Sequence, residues 1–211
     1  MNRQMNKIAK RYLVLSLSLL LFAACHNSKA PQPVTLKNTV TEKPEDVVFG
    51  NKAAPATVFM YASYQCTYCR YFFARTYPEL KKNYLDTGKL KLVVKWLDFG
   101  ERPKMLNALQ AASCISRYGI YDKFHELLVV NPGVVFTPKF DDLLDTIMEH
   151  NPVIAECILD NDNYAYLRGN VSEFRANKLT GTPTFVMNNR AYKGYYSYEN
   201  FKKILEKEFQ L

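Results

Sequence analysis

The sequence predicts an α/β fold in which a βαβ unit and a ββα unit are separated by an inserted block of helices. Three observations support this prediction. Apolar runs near both ends of the folded part have the length and composition of buried strands. Between them, from about residue 102 to about 180, the pattern is helical for roughly 75 residues, which is longer than an ordinary connection. An amphipathic helix then follows the last strand.

The first unit contains two strands and a helix. Thr57–Tyr61 is an apolar run of strand length, and Leu90–Trp96 is a second. The segment from Cys69 to about Asp86 is predicted to be a helix, which Pro78 is expected to kink and Gly88 to end. Strand, helix and strand in this order predict a βαβ unit.

The second unit follows the helical block. Thr184–Met187 and Arg190–Lys193 are strand-like runs joined by Asn188-Asn189, a dipeptide suited to a hairpin turn. Ser197 is expected to cap a last helix, Tyr198 to about Phe209, with its apolar residues on one face. With the first unit, this order describes a thioredoxin fold with an inserted all-helical subdomain.

The N-terminal residues carry an export signature. Four basic residues precede the apolar run Tyr12–Ala24, which is too short to predict a transmembrane helix. The run ends in Leu21-Phe22-Ala23-Ala24-Cys25, which resembles a bacterial lipobox, so residues 1–24 are predicted to be a signal peptide with lipidation at Cys25. An ordinary secretory signal and an uncleaved anchor are the alternatives. All three export the chain to a compartment where disulfides persist.

The rest of the chain is predicted to be a tether and one domain. Residues 25–45 contain prolines and polar residues and show almost no apolar periodicity, which indicates a flexible linker between the membrane and the domain. Residues 46–211 are enough for a single domain with its own core, and the helical insertion occupies about 102–180 of it.

The charge pattern excludes one class of partner. The chain has a formal net charge of +8, but four positive charges lie in residues 1–24, which contain no acidic residue, so the remainder carries +4. This charge is spread along the sequence, without a basic stripe interleaved with aromatic residues. The sequence therefore predicts no nucleic-acid binding.

Cys66-Thr67-Tyr68-Cys69 is the motif with a chemical mechanism. It follows the strand Thr57–Tyr61 and opens the first predicted helix. Unpaired N–H groups and the macrodipole at a helix N-terminus favour a thiolate on Cys66, and the thiolate is the nucleophile of thiol–disulfide exchange. Cys69 is placed to displace a mixed disulfide. The motif predicts a redox dithiol that needs no cofactor, because the electrons reside in the cysteine pair.

A second motif, Gly181-Thr182-Pro183-Thr184-Phe185, places a proline directly before a strand, where a cis peptide bond is plausible. Together with Tyr64–Cys69, Leu106–Ala112 and Phe124–Leu128 in the same order, it makes the chain from about Val48 to Leu205 resemble the DsbA-like thiol–disulfide oxidoreductases. The sequence departs from that family at Met60, where many relatives have a carboxylate six residues before the first cysteine.

The resemblance implies roles for several residues. Pro183 is expected to be cis and to face the cysteine pair, while Thr182 presents backbone groups to a substrate peptide. Tyr68, with Thr67 in the same dipeptide, flanks the cysteines and is expected to contribute to the substrate surface. We expect a dithiol oxidase of the periplasm or cell envelope that acts on cysteine-containing exported proteins and is recycled by a membrane redox partner. A reductase or isomerase is the alternative, because the sequence leaves the direction of electron flow open.

The remaining cysteines, Cys114 and Cys157, lie in two different predicted helices of the insertion. Two exported cysteines with apolar neighbours favour a structural disulfide, as several relatives of the family have. Two separately buried thiols are the alternative.

A metal-binding chaperone is a second class of function for a single Cys-x-x-Cys motif. A closed zinc site needs two more ligands at suitable spacing, which Cys114, Cys157 and the scattered histidines do not offer. Two thiolates could still bind Cu(I), so this alternative stays open.

Overall fold

A computed structural model describes residues 32–100 and 102–211, apart from the side chains of residues 161 and 163. The strands are β1 (Val34–Thr35), β2 (Val47–Gly50), β3 (Ala56–Ala62), β4 (Leu90–Trp96), β5 (Thr184–Met187) and β6 (Arg190–Lys193). The helices are α1 (Thr67–Tyr71), α2 (Tyr77–Leu80), α3 (Pro103–Arg117), α4 (Tyr121–Val130), α5 (Pro138–His150), α6 (Pro152–Leu159), α7 (Asn161–Ala176) and α8 (Tyr198–Phe209). The described chain thus has the predicted α/β thioredoxin fold with a helical insertion.

Within the described residues the strands form one mixed sheet in the order β1-β6-β5-β3-β4-β2. The neighbouring strands β3 and β4 are parallel, with Met60 opposite Val94, and the other pairs are antiparallel. Along the chain, helices α3 to α7 come between this parallel pair and the β5–β6 hairpin, as the sequence predicts. The carboxyl ends of β3 and β4 therefore meet at one edge of the sheet, which is where the cysteine motif begins.

Residues 67–85 form one uninterrupted helical segment, which we call the first helix. Its α-helical parts, α1 and α2, alternate with π-helical turns at Phe72–Thr76 and Lys81–Leu85. Pro78 stands in α2, directly after the first π-helical turn. Because proline cannot donate a backbone hydrogen bond, the wider turn is where the helical ladder is rearranged around it.

Two apolar clusters lie on opposite faces of the sheet, because successive side chains of a strand point to opposite sides. On one face, Met60 packs in a cluster with Phe72 of the first helix and Phe201 of α8. On the other face, Tyr61 packs with Phe174 of α7, with ring centroids 5.3 Å apart. The sheet is therefore covered on both sides, and β3 lies at its centre.

The residues before β2 differ from the predicted flexible linker. Strand β1 pairs with β6, and the N–H of Leu36 donates to the carbonyl oxygen of Asn189 at 2.9 Å. Residues 36–46, which we call the N-terminal strap, then bury Leu36 and Val40 in the cluster around Tyr61. These two widely spaced apolar residues show no periodicity in the sequence, yet their burial holds the strap against the sheet. Residues 25–31 of the predicted linker and the predicted signal peptide lie outside the described residues.

A charged network is buried under the strap. The ammonium group of Lys95, fully buried on β4, lies 2.9 Å from a carboxylate oxygen of Asp46 and 3.6 Å from Glu173 of α7. The hydroxyls of Tyr166 and Tyr61 donate to Asp46 and Glu173, each at 2.5 Å. These contacts connect the strap, the sheet and the helical insertion.

In the part of the chain that is described, no helix has both the length and the hydropathy to cross a membrane.

Candidate active site

The cysteine motif lies at the start of the first helix. After β3 ends at Ala62, a turn closed by the hydrogen bond from the Cys66 N–H to the Ser63 carbonyl oxygen (3.1 Å) leads to the helix. Cys66 is the N-cap residue, and its sulfur accepts a hydrogen bond from the backbone N–H of Cys69 at 3.2 Å. The sulfur therefore occupies the position where helix N–H groups and the macrodipole favour a negative charge.

The surroundings of Cys66 lower the pKa of its thiol from 9.0 to about 6. The largest cause is a hydrogen bond from the Cys69 thiol, and partial burial opposes it. The Thr182 side chain and the backbone N–H groups of Cys69 and Tyr68 lower the pKa further. At pH 7 a thiol with this pKa is mostly thiolate, which is the reactive form.

Cys69 has the opposite properties. It is 1% exposed, and burial raises its pKa far above 9.0, with the neighbouring Cys66 sulfur as the next cause. Met60 is fully buried in the same apolar cluster and offers no titratable group. Both cysteines are free thiols in this structure. The pair thus combines one accessible, acidic thiol with one buried thiol that keeps its proton.

Pro183 lies beside the pair at the start of β5. The Thr182–Pro183 peptide bond is cis, as the resemblance implies. The carbonyl oxygen of Thr182 accepts a hydrogen bond from the Cys66 thiol at 3.1 Å, so the loop before Pro183 contacts the reactive sulfur directly. Gly181, with φ of 79°, gives this loop a left-handed turn that other residues rarely adopt.

The two residues between the cysteines, Thr67 and Tyr68, are exposed, and Tyr68 begins a row of aromatic contacts on the surface. Tyr68 is 59% exposed, and its ring meets that of Tyr71 edge-on at 6.0 Å. Tyr71 in turn contacts Tyr195, from the loop before α8, at 6.3 Å and lies under the Arg75 guanidinium at 4.6 Å. Spacing along the first helix predicts the Tyr68–Tyr71–Arg75 row, whereas Tyr195 reaches it only through the tertiary fold.

A buried polar cluster ties the cysteine turn to the helical insertion. Tyr64 stacks on Trp96 with ring centroids 4.0 Å apart. Its hydroxyl lies 3.0 Å from both the Tyr121 hydroxyl and His125 Nδ1. Burial lowers the pKa of His125 to about 3, so the imidazole is neutral. The sequence predicts a helical block around His125 but carries no signal for the contact of this residue with Tyr64, which is 61 residues away.

Cys114 and Cys157 form a disulfide between α3 and α6, with Cα atoms 5.8 Å apart. The bond closes a separation of 43 residues, for which the chain-entropy model gives about 4 kcal/mol of stabilisation before any strain. Among residues 32–100 and 102–211, no cluster of three or more His, Cys, Asp or Glu side chains is placed to hold a metal ion. Cys25, the predicted lipidation site, lies outside these residues.

Comparisons with known proteins agree with this geometry. The family model described as thioredoxin matches residues 42–207. A protein of Rickettsia prowazekii, provisionally named a protein-disulfide oxidoreductase, is 29% identical over 185 residues, covering 85% of this chain and 67% of that protein. Disulfide bond formation protein D of Bacillus subtilis is 25% identical over 176 residues, covering 77% of each protein.

A solved structure has the same fold. The crystal structure of alpha-DsbA1 from Wolbachia pipientis superposes with a TM-score of 0.63 at 20% sequence identity, covering 81% of this chain and 94% of that one. The chain therefore belongs to the thioredoxin family, among its DsbA-like thiol–disulfide oxidoreductases.

Proposed function

We propose that this thiol–disulfide oxidoreductase works as an exported dithiol oxidase that donates its Cys66–Cys69 disulfide to cysteine-containing exported proteins. The observation that supports this direction best is the low pKa of Cys66, about 6. A thiolate that is stabilised in the reduced form makes reduction of the disulfide more favourable, and hence makes the disulfide a stronger oxidant. Cys66 is the sulfur that substrates attack.

The reaction balances over two exchange steps. A substrate thiolate attacks the Cys66 sulfur, the Cys66–Cys69 bond breaks, and Cys69 leaves and takes up a proton. The second substrate thiolate then attacks the substrate sulfur of the mixed disulfide and releases Cys66 as a thiolate. The substrate loses two electrons and gains a disulfide, and the enzyme holds the two electrons as a dithiol. Burial of Cys69 favours its protonated form and so limits back-attack on the mixed disulfide.

The residues around Cys66 have supporting roles in this proposal. Pro183 and Thr182 contact the substrate backbone next to the reactive sulfur, and their position beside Cys66 supports this role. Thr67 and Tyr68, exposed on the other side of the sulfur, contribute to the substrate surface. Cys114 and Cys157 stabilise the helical insertion and take no part in the exchange.

The wider setting is part of the same proposal. The export signature and the name of the Bacillus subtilis relative, disulfide bond formation protein D, support a site in the periplasm or cell envelope. A lipid on Cys25 would hold the domain at the membrane, and a membrane redox partner would reoxidise the cysteine pair. No cofactor is required for either exchange step.

Equilibration of the purified full chain with glutathione buffers tests the direction of electron flow. A reduction potential near that of the strong oxidants, about −120 mV, would support disulfide donation. A potential near that of thioredoxin, about −270 mV, would contradict it and indicate a reductase. The Cys114→Ala/Cys157→Ala variant is the control, because it removes the second disulfide and should leave the measured potential unchanged.

A further inference from the structure

A pocket of about 370 Å³ lies between the loop that follows β4 and helix α7. Its floor is apolar and includes Leu106, Leu167 and Val171. Phe99 forms part of the rim; it is 47% exposed, and its ring meets Phe174 edge-on at 6.2 Å. The pocket is large enough for an aliphatic side chain with the adjacent backbone of a peptide.

The rim on the α7 side is basic. Arg168 and Arg175 are two helical turns apart, so they point to the same side of α7 with Cα atoms about 10.5 Å apart. Ser172 lies between them and also lines the pocket. Neither guanidinium has a hydrogen bond or ion pair to another residue that the structure describes. Asp98 is the acidic residue of the lining, so the two arginines outnumber it.

The pocket is close to the cysteine turn. Leu97, just before the pocket loop, donates its N–H to the carbonyl oxygen of Ala62 at 2.8 Å, and Ala62 is the last residue of β3. Trp96 stacks on Tyr64, two residues before Cys66. The loops after β3 and β4 therefore leave the same edge of the sheet side by side. A polypeptide bound in the pocket would pass near the Cys66 turn.

We propose that this pocket binds an extended peptide segment of a partner protein in which an aliphatic residue has one acidic residue two positions before it and another two positions after it. The aliphatic side chain would fill the apolar floor. Residues two positions apart in an extended peptide face the same side, so both carboxylates would face the protein together with the aliphatic side chain. The two acidic residues are about 13.6 Å apart, and the long arginine side chains can cover the difference from their own Cα spacing. Arginine favours this arrangement because its planar guanidinium binds a carboxylate through two hydrogen bonds.

The identity of the partner rests on the proposed function, since the bound segment would belong to a protein that exchanges disulfides with Cys66. An anionic membrane surface is the competing occupant of two free arginines. The concave, apolar floor favours a peptide, because a lipid surface is met by flat clusters of basic residues rather than by a pocket for one side chain.

The test is an NMR titration of the isotope-labelled full chain, with Cys66 and Cys69 oxidised, against the peptide acetyl-Asp-Gly-Leu-Gly-Asp-amide. This peptide has no cysteine, so its binding is independent of any disulfide exchange. We expect saturable shifts of the Phe99, Val171 and Ser172 amides. The matched peptide acetyl-Asn-Gly-Leu-Gly-Asn-amide should bind at least tenfold more weakly.

Charge-reversal variants separate the pocket from general electrostatics. Arg168→Glu/Arg175→Glu should weaken binding of the acidic peptide at least tenfold. Lys202→Glu/Lys203→Glu, which makes the same change in net charge on α8, should leave the affinity within a factor of two. Equal losses in both variants, or no saturable binding by the parent chain, would overturn the proposal.

Two further measurements identify the occupant and separate this proposal from the proposed function. Arginine-dependent binding to phosphatidylglycerol vesicles without binding of the peptide would replace the peptide with a membrane surface and overturn the proposal. Oxidation of a reduced cysteine peptide by the full chain is measured in parallel. If that oxidation fails while the acidic peptide binds the pocket, the proposed function is refuted and the binding site is retained. If oxidation succeeds without peptide binding, only the pocket proposal fails.

Discussion

The Cys69→Ala substitution tests the origin of the acidic thiol. In the structure, the largest cause of the low Cys66 pKa is the hydrogen bond that the Cys69 thiol donates to the Cys66 sulfur. Cys69→Ala removes this donor but keeps the backbone N–H that lies 3.2 Å from the sulfur. Cys69→Ser is the matched control, since its hydroxyl can donate from nearly the same position.

The expected change follows from the strength of a hydrogen bond to a charged acceptor. Such a bond contributes about 1.5–3 kcal/mol, and one pKa unit corresponds to about 1.4 kcal/mol, so Cys69→Ala should raise the Cys66 pKa by about one to two units. Water around the half-buried sulfur reduces the effect toward the lower value. The thiolate fraction at pH 7 would fall from about 90% to between about 10% and about 50%.

The assay is the pH dependence of Cys66 alkylation by iodoacetamide, followed by mass spectrometry of the Cys66 peptide. The midpoint should lie near pH 6 in the Cys69→Ser variant and between about pH 7 and pH 8 in Cys69→Ala. The midpoint is used rather than one rate, because the nucleophilicity of a thiolate changes with its pKa. Equal midpoints near pH 6 in both variants would refute the argument and assign the acidity to the helix N-terminus and Thr182.

Three further predictions concern stability and pH. Because folding lowers the pKa of Cys66, this thiol stabilises the reduced protein above pH 9, and the stabilisation is lost as the pH falls toward 6. The difference in melting temperature between reduced and oxidised protein should therefore shift in favour of the reduced form from pH 5 to pH 9. A pH-independent difference would contradict this. Lys95→Met leaves the buried Asp46 carboxylate without its ion-pair partner, so urea unfolding should show a free energy of unfolding lower by about 3–5 kcal/mol. A decrease below about 1 kcal/mol would mean that the pair is not buried in solution. Cys114→Ala/Cys157→Ala should lower the free energy of unfolding by up to about 4 kcal/mol and leave the alkylation midpoint of Cys66 unchanged. A shifted midpoint would show that the insertion influences the active site through this disulfide.

The features of this protein that the sequence predicts depend on residues that are close together along the chain. The strands β3 and β4 are mostly apolar runs of strand length, and the Cys66–Cys69 motif stands between a strand and a helix. A few neighbouring residues therefore indicate both structure and chemistry. Pro183 before β5 is recognised for the same reason. Each of these features depends on residues within one or two elements, and periodicity and short motifs report directly on that scale.

The features that the sequence does not reveal depend on distant residues. Leu36 and Val40 are too sparse to form a pattern, and their burial follows only from the sheet and α7 that the strap crosses. The contact of Tyr64 with His125 spans 61 residues, and each residue alone resembles ordinary core packing. Periodicity shows that a side chain is buried but not what it is buried against.

The sequence by itself therefore determined the α/β fold class, the position of the insertion and the redox motif, because these are encoded in short stretches of chain. The tertiary structure alone decided the deep burial of Cys69, the choice of a disulfide over two buried thiols at Cys114 and Cys157, and the placement of Lys95 beside Asp46. Each of these depends on desolvation and on distances of a few ångströms between elements, and both are fixed only when the elements pack.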